Sequence, residues 1–493
     1  MNIRQHLSLV SFHINKDRRQ LSKVLLLFTI LIISSCATIG YPFRFALGQS
    51  EEQRDEQKNQ DASFPTINDP NLKVEEVFKG LRFPTKMAFL GPNDILALEK
   101  DNGTVQRIVN GKMLPEPVLD VNVANKFERG LLGIAVAKHQ QQNGNGDNDG
   151  GPIYVFLYYT ESKVKGSDIC PKKGFVCDPA GEPLGNRLYR YELVNNKLVN
   201  PKLLIDVPVD RNRHNGGAVT IGPDNNVYVV IGDGNHNTQA TNYLHDPAPD
   251  GTAGILRVTQ DGKTVDNPPL GNTFPLNMYY AYGIRNSFGM DFDHISGNLW
   301  ATEAGTFYVD ELNLIRPGFN GGWEKVDGMA SRCVVIICPY LKKLGDQKQS
   351  FQDGLVDFGG KGKYSDPQFA WEYSPTPTAV KFFNSDKLGK QYEDDLFVGD
   401  FNFGNLYHFK LNPQRTELSL PSDGSLADRV SNTPDEAKSI IFGTGFGGAE
   451  SALPKPYRNH FGGITDIQVG PDGYLYILTF RETEGTIYRV VPK

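Results

Sequence analysis

The stretch ILALEKDNGTVQRIV, which runs from Ile95 to Val109, is one copy of a unit that recurs six times along the chain. In each copy an apolar strand runs into a turn rich in glycine, aspartate or asparagine, and a second strand follows. The other copies begin at Ile153, Val227, Leu299, Leu396 and Leu475. Strand pairs repeated at a coarse period are typical of a propeller, whose blades surround an axis. The sequence therefore predicts an all-β fold, a six-bladed β-propeller.

The length and composition agree with this fold. The chain has 493 residues, of which 39% are hydrophobic and 51 are glycines, as expected of a turn-rich globular protein. Single all-β domains commonly run long. We therefore assign residues 71–493 to one propeller, with about 70 residues for each blade and loops longer than a minimal blade needs.

The charge pattern bears on possible partners. The formal net charge is −6, and no basic stripe stands out in the sequence. A nucleic-acid-binding surface is normally basic, so this class of function is disfavoured. Small molecules are the expected partners.

The N-terminus predicts export. Basic residues precede the apolar run Val24–Ile33, and Ser34-Ser35-Cys36 follows it. Residues 1–36 therefore resemble a secretory signal peptide, with Cys36 placed as in a lipobox. The alternatives are a lipoprotein, an uncleaved membrane anchor and a simply cleaved signal. Residues 37–70 are predicted to form a polar linker. Because residues 1–36 resemble a signal or an anchor, we expect an extracytoplasmic, membrane-anchored protein.

The cysteines are compatible with export. Besides Cys36 they form two local pairs, Cys170 with Cys177 and Cys333 with Cys338. An oxidising compartment would let each pair close a small loop as a disulfide.

One histidine stands out as a candidate base. His214 lies in a glycine-flanked loop, and Asp233 follows the next apolar strand. A neutral imidazole accepts a proton, and a nearby carboxylate stabilises the imidazolium that results. The alternative is a turn histidine that bonds only the backbone.

An arginine is the second candidate. Arg285 lies beside glycine in the apolar stretch Tyr282–Gly289, where its guanidinium can donate to a carbonyl or an oxyanion. The alternative is a structural guanidinium that caps strand carbonyls. Glu128 begins a third segment, ERGLLG, whose glycines permit close backbone approach.

Taken in order, these motifs resemble one family. ERGLLG, HNGG, GPDNNVYVVIGDG, YGIRNSFGMDFD, DELNLIRPGFNGGW and GPDGYLYILT are similar to signatures of the soluble quinoprotein glucose dehydrogenases. This family includes aldose sugar and sorbosone dehydrogenases. The resemblance runs from about Val74 to the C-terminus. It implies a six-bladed propeller that binds calcium and pyrroloquinoline quinone (PQQ) near its axis.

The resemblance also implies roles for single residues. His214 matches the general base that takes the proton of the anomeric hydroxyl while hydride passes to the quinone. Arg285 matches the arginine that polarises the quinone oxygen, and Asp233 matches its supporting aspartate. Three further residues match cofactor-binding positions: Glu128, Trp371 and Asn402. The backbone carbonyls of Gly305 and Thr306 match the calcium ligands, and hard oxygen atoms suit this ion.

The sequence also departs from the family pattern. Asn402 stands where well-known members have a lysine, and Gly463 and Thr465 stand where they have arginines. Phe480 replaces an acid. Because PQQ is a tricarboxylate, the loss of three cations is expected to weaken its binding.

Three functions remain possible from the sequence. The first is an exported PQQ- and calcium-dependent dehydrogenase that oxidises aldoses or related polyols and passes electrons to an external acceptor. In this reading His214 and Arg285 face each other across a central funnel. The second is a non-catalytic sugar- or protein-binding propeller that has lost the quinone site. The third is a calcium-dependent hydrolase of the lactonase type, with Glu128, Asp233, Glu303 and Asp400 as an axial ring of ligands.

Overall fold

The chain divides into two units, Met1–Asp61 and Ala62–Lys493. The computed structural model describes most of the second unit. The described residues are 64–138, 151–165, 183–209, 211–234, 242, 249–306, 309–330, 354–421, 424–447, 462–481 and 483–493. The predicted signal or anchor and both predicted disulfides lie outside these residues. Among the described residues, no helix has the length and hydropathy needed to span a membrane.

The regular structure of the described residues consists of strands and two short 3₁₀ helices. The first strands are β1 (Thr66–Ile67), β2 (Leu72–Leu81), β3 (Pro84–Gly91), β4 (Asp94–Glu99), β5 (Thr104–Val109), β6 (Lys112–Met113), β7 (Leu119–Asp120), β8 (Leu131–Lys138), β9 (Ile153–Ser162) and β10 (Pro183–Val194). There follow β11 (Lys197–Val207), β12 (Val219–Ile221), β13 (Val227–Ile231), β14 (Gly254–Val258), β15 (Tyr279–Tyr282), β16 (Met290–Phe292), β17 (Leu299–Glu303), β18 (Asp310–Ile315), β19 (Phe319–Asn320) and β20 (Lys363–Tyr364). The last are β21 (Phe369–Trp371), β22 (Pro377–Phe382), β23 (Leu396–Asp400), β24 (Leu406–Leu411), β25 (Leu418–Ser419), β26 (Val430–Ser431), β27 (Ile441–Thr444), β28 (Ile464–Val469), β29 (Leu475–Thr479) and β30 (Gly485–Pro492). The 3₁₀ helices are Leu276–Met278 and Glu436–Ile440.

In the described part of the chain these strands form six sheets. Sheet I contains β3-β4-β5-β6 with β7, sheet II contains β8-β9-β10-β11, and sheet III contains β12-β13-β14-β15-β19-β20. Sheet IV contains β16-β17-β18-β21-β26, sheet V contains β22-β23-β24-β27-β1 with β25, and sheet VI contains β28-β29-β30-β2. The prediction of an all-β propeller is confirmed. Each of the six repeats in the sequence supplies the second and third strands of one sheet.

The second strands are apolar because they are covered on both faces. All residues of β13, VYVVI, and of β29, LYILT, are buried. A strand packed between two neighbouring sheets reads as a continuous apolar run rather than an alternating one. One such layer packs Phe156 of sheet II against Val229 and Leu256 of sheet III. The core of the molecule is therefore a series of layers between consecutive sheets.

The first strands of the sheets form a closed ring. Strands β3, β8, β12, β16, β22 and β28 each contact the next, and β28 contacts β3. Together they surround an axial cavity of about 290 Å³. The ammonium group of Lys86 in β3 crosses this region and donates to the carbonyl oxygens of Thr465 (2.7 Å) and Thr378 (3.2 Å). Sheets I, V and VI are thus joined near the axis by one side chain.

The two ends of the propeller sequence meet in sheet VI. Strand β2 pairs antiparallel with β30, with Val74 opposite Val490. The ring is therefore closed by hydrogen bonds between the N-terminal and C-terminal strands. Strand β1 also pairs with β27, with Thr66 opposite Thr444. Regular structure thus begins before residue 71, the predicted start of the domain, because β1 completes the edge of sheet V.

Candidate functional site

The topology gathers the candidate residues at one end of the propeller, here called the site end. In an antiparallel sheet the first strand begins where the second strand ends. Glu128, His214 and Arg285 precede the first strands of sheets II, III and IV. Asp233 and Gly305 follow the second strands of sheets III and IV. Chemistry-bearing residues that lie far apart in sequence therefore meet at the site end.

His214 and Asp233 form a buried pair. Their side chains are joined by a 2.7 Å hydrogen bond between Nδ1 of His214 and Oδ1 of Asp233. Only 6% of His214 and 2% of Asp233 is exposed. An ionised carboxylate accepts hydrogen bonds and does not donate them, so Nδ1 carries the proton and Nε2 keeps its lone pair. The pair therefore has the arrangement of a base with its supporting carboxylate.

The backbone of His214 adopts an uncommon conformation. Its φ is +55°, in the left-handed region that non-glycine residues rarely occupy. Two hydrogen bonds hold it there: its N–H donates to Oε2 of Glu128 (2.6 Å), and its carbonyl accepts from the N–H of Gly234 (3.0 Å). Strain of this kind persists only where the surroundings fix it. The conformation of the loop therefore fixes the orientation of the His214 imidazole.

Arg285 lies beside this pair. Its Nη1 donates to the carbonyl of Ala304 (2.7 Å), and its guanidinium carbon lies 5.3 Å from the ring centre of Trp323. Its backbone N–H donates to Oε1 of Glu303 (2.6 Å). Among the described residues, Nε of Arg285 is buried without a hydrogen-bond partner. The arginine is therefore fixed in place with a donor still available for a ligand.

Glycine at position 232 allows the two loops to meet. A Cβ atom there would lie 2.3 Å from the carbonyl oxygen of His214 and 2.8 Å from that of Arg285. The N–H of the next residue, Asp233, donates to the carbonyl of Arg285 (2.8 Å). His214 and Arg285 are thus neighbours around the ring. The sequence analysis predicted that they face each other across a central funnel; the loops that carry them belong to the adjacent sheets III and IV.

Glu128 joins three sheets at the site end. Its Oε2 accepts from the backbone of His214 and from Nδ2 of Asn286 (2.9 Å). Asn286 in turn accepts from the N–H of Gly216 (3.2 Å). Both hydrogen bonds that Oε2 of Glu128 accepts hold the His214 loop in place. Asn286 was missed by the sequence analysis, although it follows Arg285 directly within the motif.

Trp323 is the other residue that the sequence analysis missed. Its Nε1 donates to Oδ2 of Asp233 (2.7 Å), the oxygen that does not contact His214. Its motif, NGGW, was noted only as part of a family signature. No local pattern connects this residue with Asp233, because the contact forms between loops 90 residues apart.

Buried carboxyl groups lie behind the predicted calcium carbonyls. Asp310 accepts from the N–H of Gly305 (2.9 Å), and Asp327 accepts from Oγ1 of Thr306 (2.6 Å). Burial raises the pKa of Asp310 to about 7 and also raises the pKa of Asp327. Burial and the neighbouring Glu311 raise the pKa of Glu303 well above its usual range. Within the described ranges, no three His, Cys, Asp or Glu side chains are grouped to hold a metal.

Trp371 lies in the core opposite Asp310, a residue of the site end. Trp371 is fully buried in β21, the fourth strand of sheet IV, where its ring lies 4.8 Å from Phe369 and 5.4 Å from Tyr407. Strand pairing places the ring in the layer between sheets IV and V, and its cofactor-facing role stays a prediction.

Asn402 does lie at the site end. Its Nδ2 donates to the carbonyl of Ser374 (2.9 Å) and to Oγ1 of Thr376 (2.8 Å). The N–H of Thr376 donates to Oδ2 of Asp310 (2.6 Å). Asn402 thus belongs to the hydrogen-bond network that continues to Gly305.

The residues that depart from the family pattern in the last sheet make packing contacts and hydrogen bonds in this chain. A Cβ atom on Gly463 would lie 2.1 Å from the carbonyl oxygen of Phe401, so an arginine has no room there. Thr465 is buried and donates to the carbonyl of Pro84 (3.1 Å). The ring of Phe480 packs against Phe83 (5.3 Å) and Phe401 (5.4 Å). This quadrant of the site end is aromatic rather than basic.

The carboxyl groups proposed for a lactonase-type site do not converge. Asp400 accepts from the N–H groups of Phe403 (2.7 Å) and Gly404 (2.8 Å) and from the hydroxyl of Tyr407 (2.8 Å). It therefore stabilises its own turn. Asp233 and Glu128 are committed to His214 and its neighbours. The alternative of an axial carboxylate ring is not supported.

Comparisons with known proteins agree with the propeller fold. The family model described as Glucose / Sorbosone dehydrogenase matches residues 81–489. The aldose sugar dehydrogenase YliI of Escherichia coli is 24% identical, over 86% of this chain and 93% of its own. The apo-form structure of the soluble Escherichia coli aldose sugar dehydrogenase has a TM-score of 0.58 at 20% identity, covering 86% of this chain and 100% of that one. The PQQ-bound aldose sugar dehydrogenase of Streptomyces coelicolor has a TM-score of 0.54 at 20% identity, covering 87% and 100%.

Proposed function

The chain belongs to the glucose/sorbosone dehydrogenase family, and from this premise we propose that it is a PQQ- and calcium-dependent dehydrogenase that oxidises aldose sugars. The observation that supports this most directly is the buried pair of His214 and Asp233 beside Arg285. Electrons leave to an external acceptor. The ring of first strands supports the finer assignment of six blades, one for each sheet.

His214 is the proposed general base. Asp233 holds the Nδ1–H, so the Nε2 lone pair takes the proton from the anomeric hydroxyl of the sugar. The imidazolium that forms stays next to the carboxylate of Asp233, which stabilises its charge. Glu128 fixes the backbone of the same loop and so keeps the imidazole from turning away.

The residues present fit the reactive end of a quinone cofactor. Bound PQQ supplies the two-electron acceptor of the reaction. Arg285, whose Nε lacks a partner among the described residues, is the group that would hold a quinone oxygen. Asn402 is the polar side chain on the far side of the site end. Asn402, Gly463 and Thr465 provide no cation for the carboxylates, so we expect weaker cofactor binding than in members with all three cations.

The carbonyls of Gly305 and Thr306 are the proposed calcium ligands. The carboxyl groups of Asp310 and Asp327 hold this loop from behind. Both hydrogen bonds fix the backbone that carries the two carbonyls. Calcium also accepts backbone carbonyl ligands readily.

We further propose that the protein is exported and tethered to a membrane. The support is the basic residues before Val24–Ile33 and the placement of Cys36. An intact-mass measurement of the mature protein tests this. A lipidated Cys36 or a retained N-terminus is expected, whereas a start beyond residue 36 without lipid would contradict the anchor.

The enzymatic proposal is tested by adding an aldose to the full chain with calcium, PQQ and an electron-accepting dye. We expect dye reduction that needs all three components and is lost on chelation of calcium. An absorbance titration of PQQ is run in parallel. If the quinone does not bind at any workable concentration, the proposed activity is overturned.

One observation favours a second candidate function. Asn402, Gly463 and Thr465 occupy the places of the family cations, as expected of a propeller that binds a sugar or a protein without redox chemistry. Binding of an aldose without PQQ binding and without dye reduction would support this alternative.

A further inference from the structure

We propose that Trp323 is a positioning residue that sets the proton affinity of His214 through Asp233 and also supports Arg285. The inference rests on the proposed function of His214 as the base. Trp323 touches neither imidazole nor substrate in this account. It acts through the two groups that it contacts.

The first contact of Trp323 is a hydrogen bond to the carboxylate of Asp233. The two oxygens of Asp233 point to different partners: Oδ1 contacts Nδ1 of His214 and Oδ2 accepts from the indole N–H of Trp323, each at 2.7 Å. Asp233 is almost fully buried. In such surroundings a hydrogen bond to an ionised carboxylate is strong, because water does not compete for it.

The consequence for His214 follows from charge. The indole N–H withdraws electron density from the carboxylate, and the oxygen facing His214 is therefore less negative. Without this donor, the carboxylate would attract the imidazolium more strongly and the proton affinity of His214 would rise. Two other charged groups of the described residues lie near His214: Glu128, bonded to its backbone N–H, and Arg285 in the next loop.

The second contact of Trp323 is between its ring and the guanidinium of Arg285. The guanidinium of Arg285 lies over it at 5.3 Å, within the range of a cation–π contact. One side chain therefore fixes both the carboxylate behind the base and the cation beside it. Two loops from neighbouring sheets are thus held by contacts with the same side chain.

The first experiment measures the pH midpoint at which the His214 ring protonates, by NMR of its carbon-bound protons in the full chain without cofactor. Trp323→Phe keeps an aromatic ring but removes the N–H. We expect the midpoint to move upward by about 0.5–1 pH unit. The acid limb of the pH–rate profile of the loaded enzyme should move in the same direction. An unchanged midpoint would overturn the proposal.

The route through Asp233 is tested by a double-mutant cycle. In Asp233→Asn the shift caused by Trp323→Phe should disappear, because the charge that the indole moderates is gone. A shift of the same size in both backgrounds would show that Trp323 acts by another route and would contradict the inference.

Trp300→Phe is the matched control. Trp300 is also fully buried, but its Nε1 has no hydrogen-bond partner among the described residues. The substitution removes the same atoms without removing a hydrogen bond. It should leave the His214 midpoint unchanged, and a shift equal to that of Trp323→Phe would mean that loss of packing alone is responsible.

A measurement on the unchanged chain does not depend on the folding of any variant. The sequence contains three tryptophans, so the indole N–H signals can be assigned. The Trp323 signal should change with pH at the same midpoint as the His214 ring, and a flat signal would contradict the link. If this link holds but no aldose reduces the dye, the inference about Trp323 stands and the proposed function alone fails.

Discussion

The candidate site depends on a few residues whose size or charge has no substitute. Gly232 is the clearest example, because the carbonyl oxygens of His214 and Arg285 both lie where its Cβ would be. The buried carboxylates show the same dependence. Asp233 and Asp400 are each surrounded by donors, and each would be costly without them.

Replacing Gly232 with alanine should damage the site directly. The added methyl group has to push apart the two loops that carry the base and the arginine. We expect a loss of about 100-fold in kcat, as for a displacement near 1 Å, and a loss of about 1–3 kcal/mol in the free energy of unfolding. Gly91→Ala is the control, because a Cβ there meets nothing within 4 Å. Full activity in Gly232→Ala would contradict the packing described here.

The carboxyl group of Asp400 should make stability depend on pH. Burial raises its pKa to about 7, from 3.8 in the unfolded chain. Because the folded state binds this proton more tightly, the stabilisation is complete below pH 4 and is lost as the pH rises through 7. In Asp400→Asn the free energy of unfolding should lack this decline, of about 2–4 kcal/mol. Denaturant unfolding from pH 4 to pH 8 measures the difference. Parallel curves for the two proteins would be inconsistent with a protonated Asp400.

Part of this site could be predicted from sequence. His214, Asp233, Glu128 and Arg285 each lie within two residues of a glycine in loops between apolar strands, and strand order brings them to one end. The burial of Trp371 could not be predicted from sequence, since it depends on the pairing of β21 with β18. Trp323 could not be found for the same reason. Its hydrogen bond to Asp233 forms between the loops that follow β19 and β13, which lie far apart in the sequence and leave no local pattern.

At the level of single elements, sheet VI determines whether the ring is closed. Strand β30 pairs with β29 on one side and with β2 on the other. Among the described residues of this sheet, β30 thus connects the two ends of the propeller sequence. The repeats predicted β29 and β30 correctly. Short outer strands such as β19 and β26 were not predicted, because two residues carry no detectable periodicity.

Removal of one core side chain from β30 should therefore weaken the whole fold. Ile487 is completely buried and packs with Ile95 and Leu478. For Ile487→Ala we expect a loss of about 2–5 kcal/mol in the free energy of unfolding, since the cavity left behind cannot fully collapse. Ile295→Ala is the control at a position that is 56% exposed. Equal unfolding midpoints for the two variants would be evidence against the closing role of β30.

At the level of the whole molecule, Lys86 connects sheets that are distant in sequence. Its ammonium contacts two carbonyl oxygens and lies 3.4 Å from Oδ1 of Asp466. Burial lowers the pKa of Lys86, while Asp466 opposes this change. The side chains of both residues are nearly inaccessible, at 11% and 6% exposed. The ion pair is thus part of the axis and not of the surface.

Breaking this pair from one side should be severe. Lys86→Met leaves Asp466 buried without its cation, which typically costs about 3–5 kcal/mol. The double variant Lys86→Met/Asp466→Asn should recover part of this loss, because no unpaired charge remains. Thermal and denaturant unfolding measure both variants. A cost below about 1 kcal/mol for Lys86→Met would show that the pair behaves like an exposed salt bridge.

The account as a whole depends on His214 acting as the base of an aldose-oxidising centre. The most direct test compares the wild-type chain and His214→Gln, each loaded with calcium and PQQ, in aldose-dependent dye reduction. The account predicts that the variant still folds and binds the quinone but loses about 10²–10⁴-fold in kcat. Turnover in His214→Gln equal to that of the wild type would contradict the central claim.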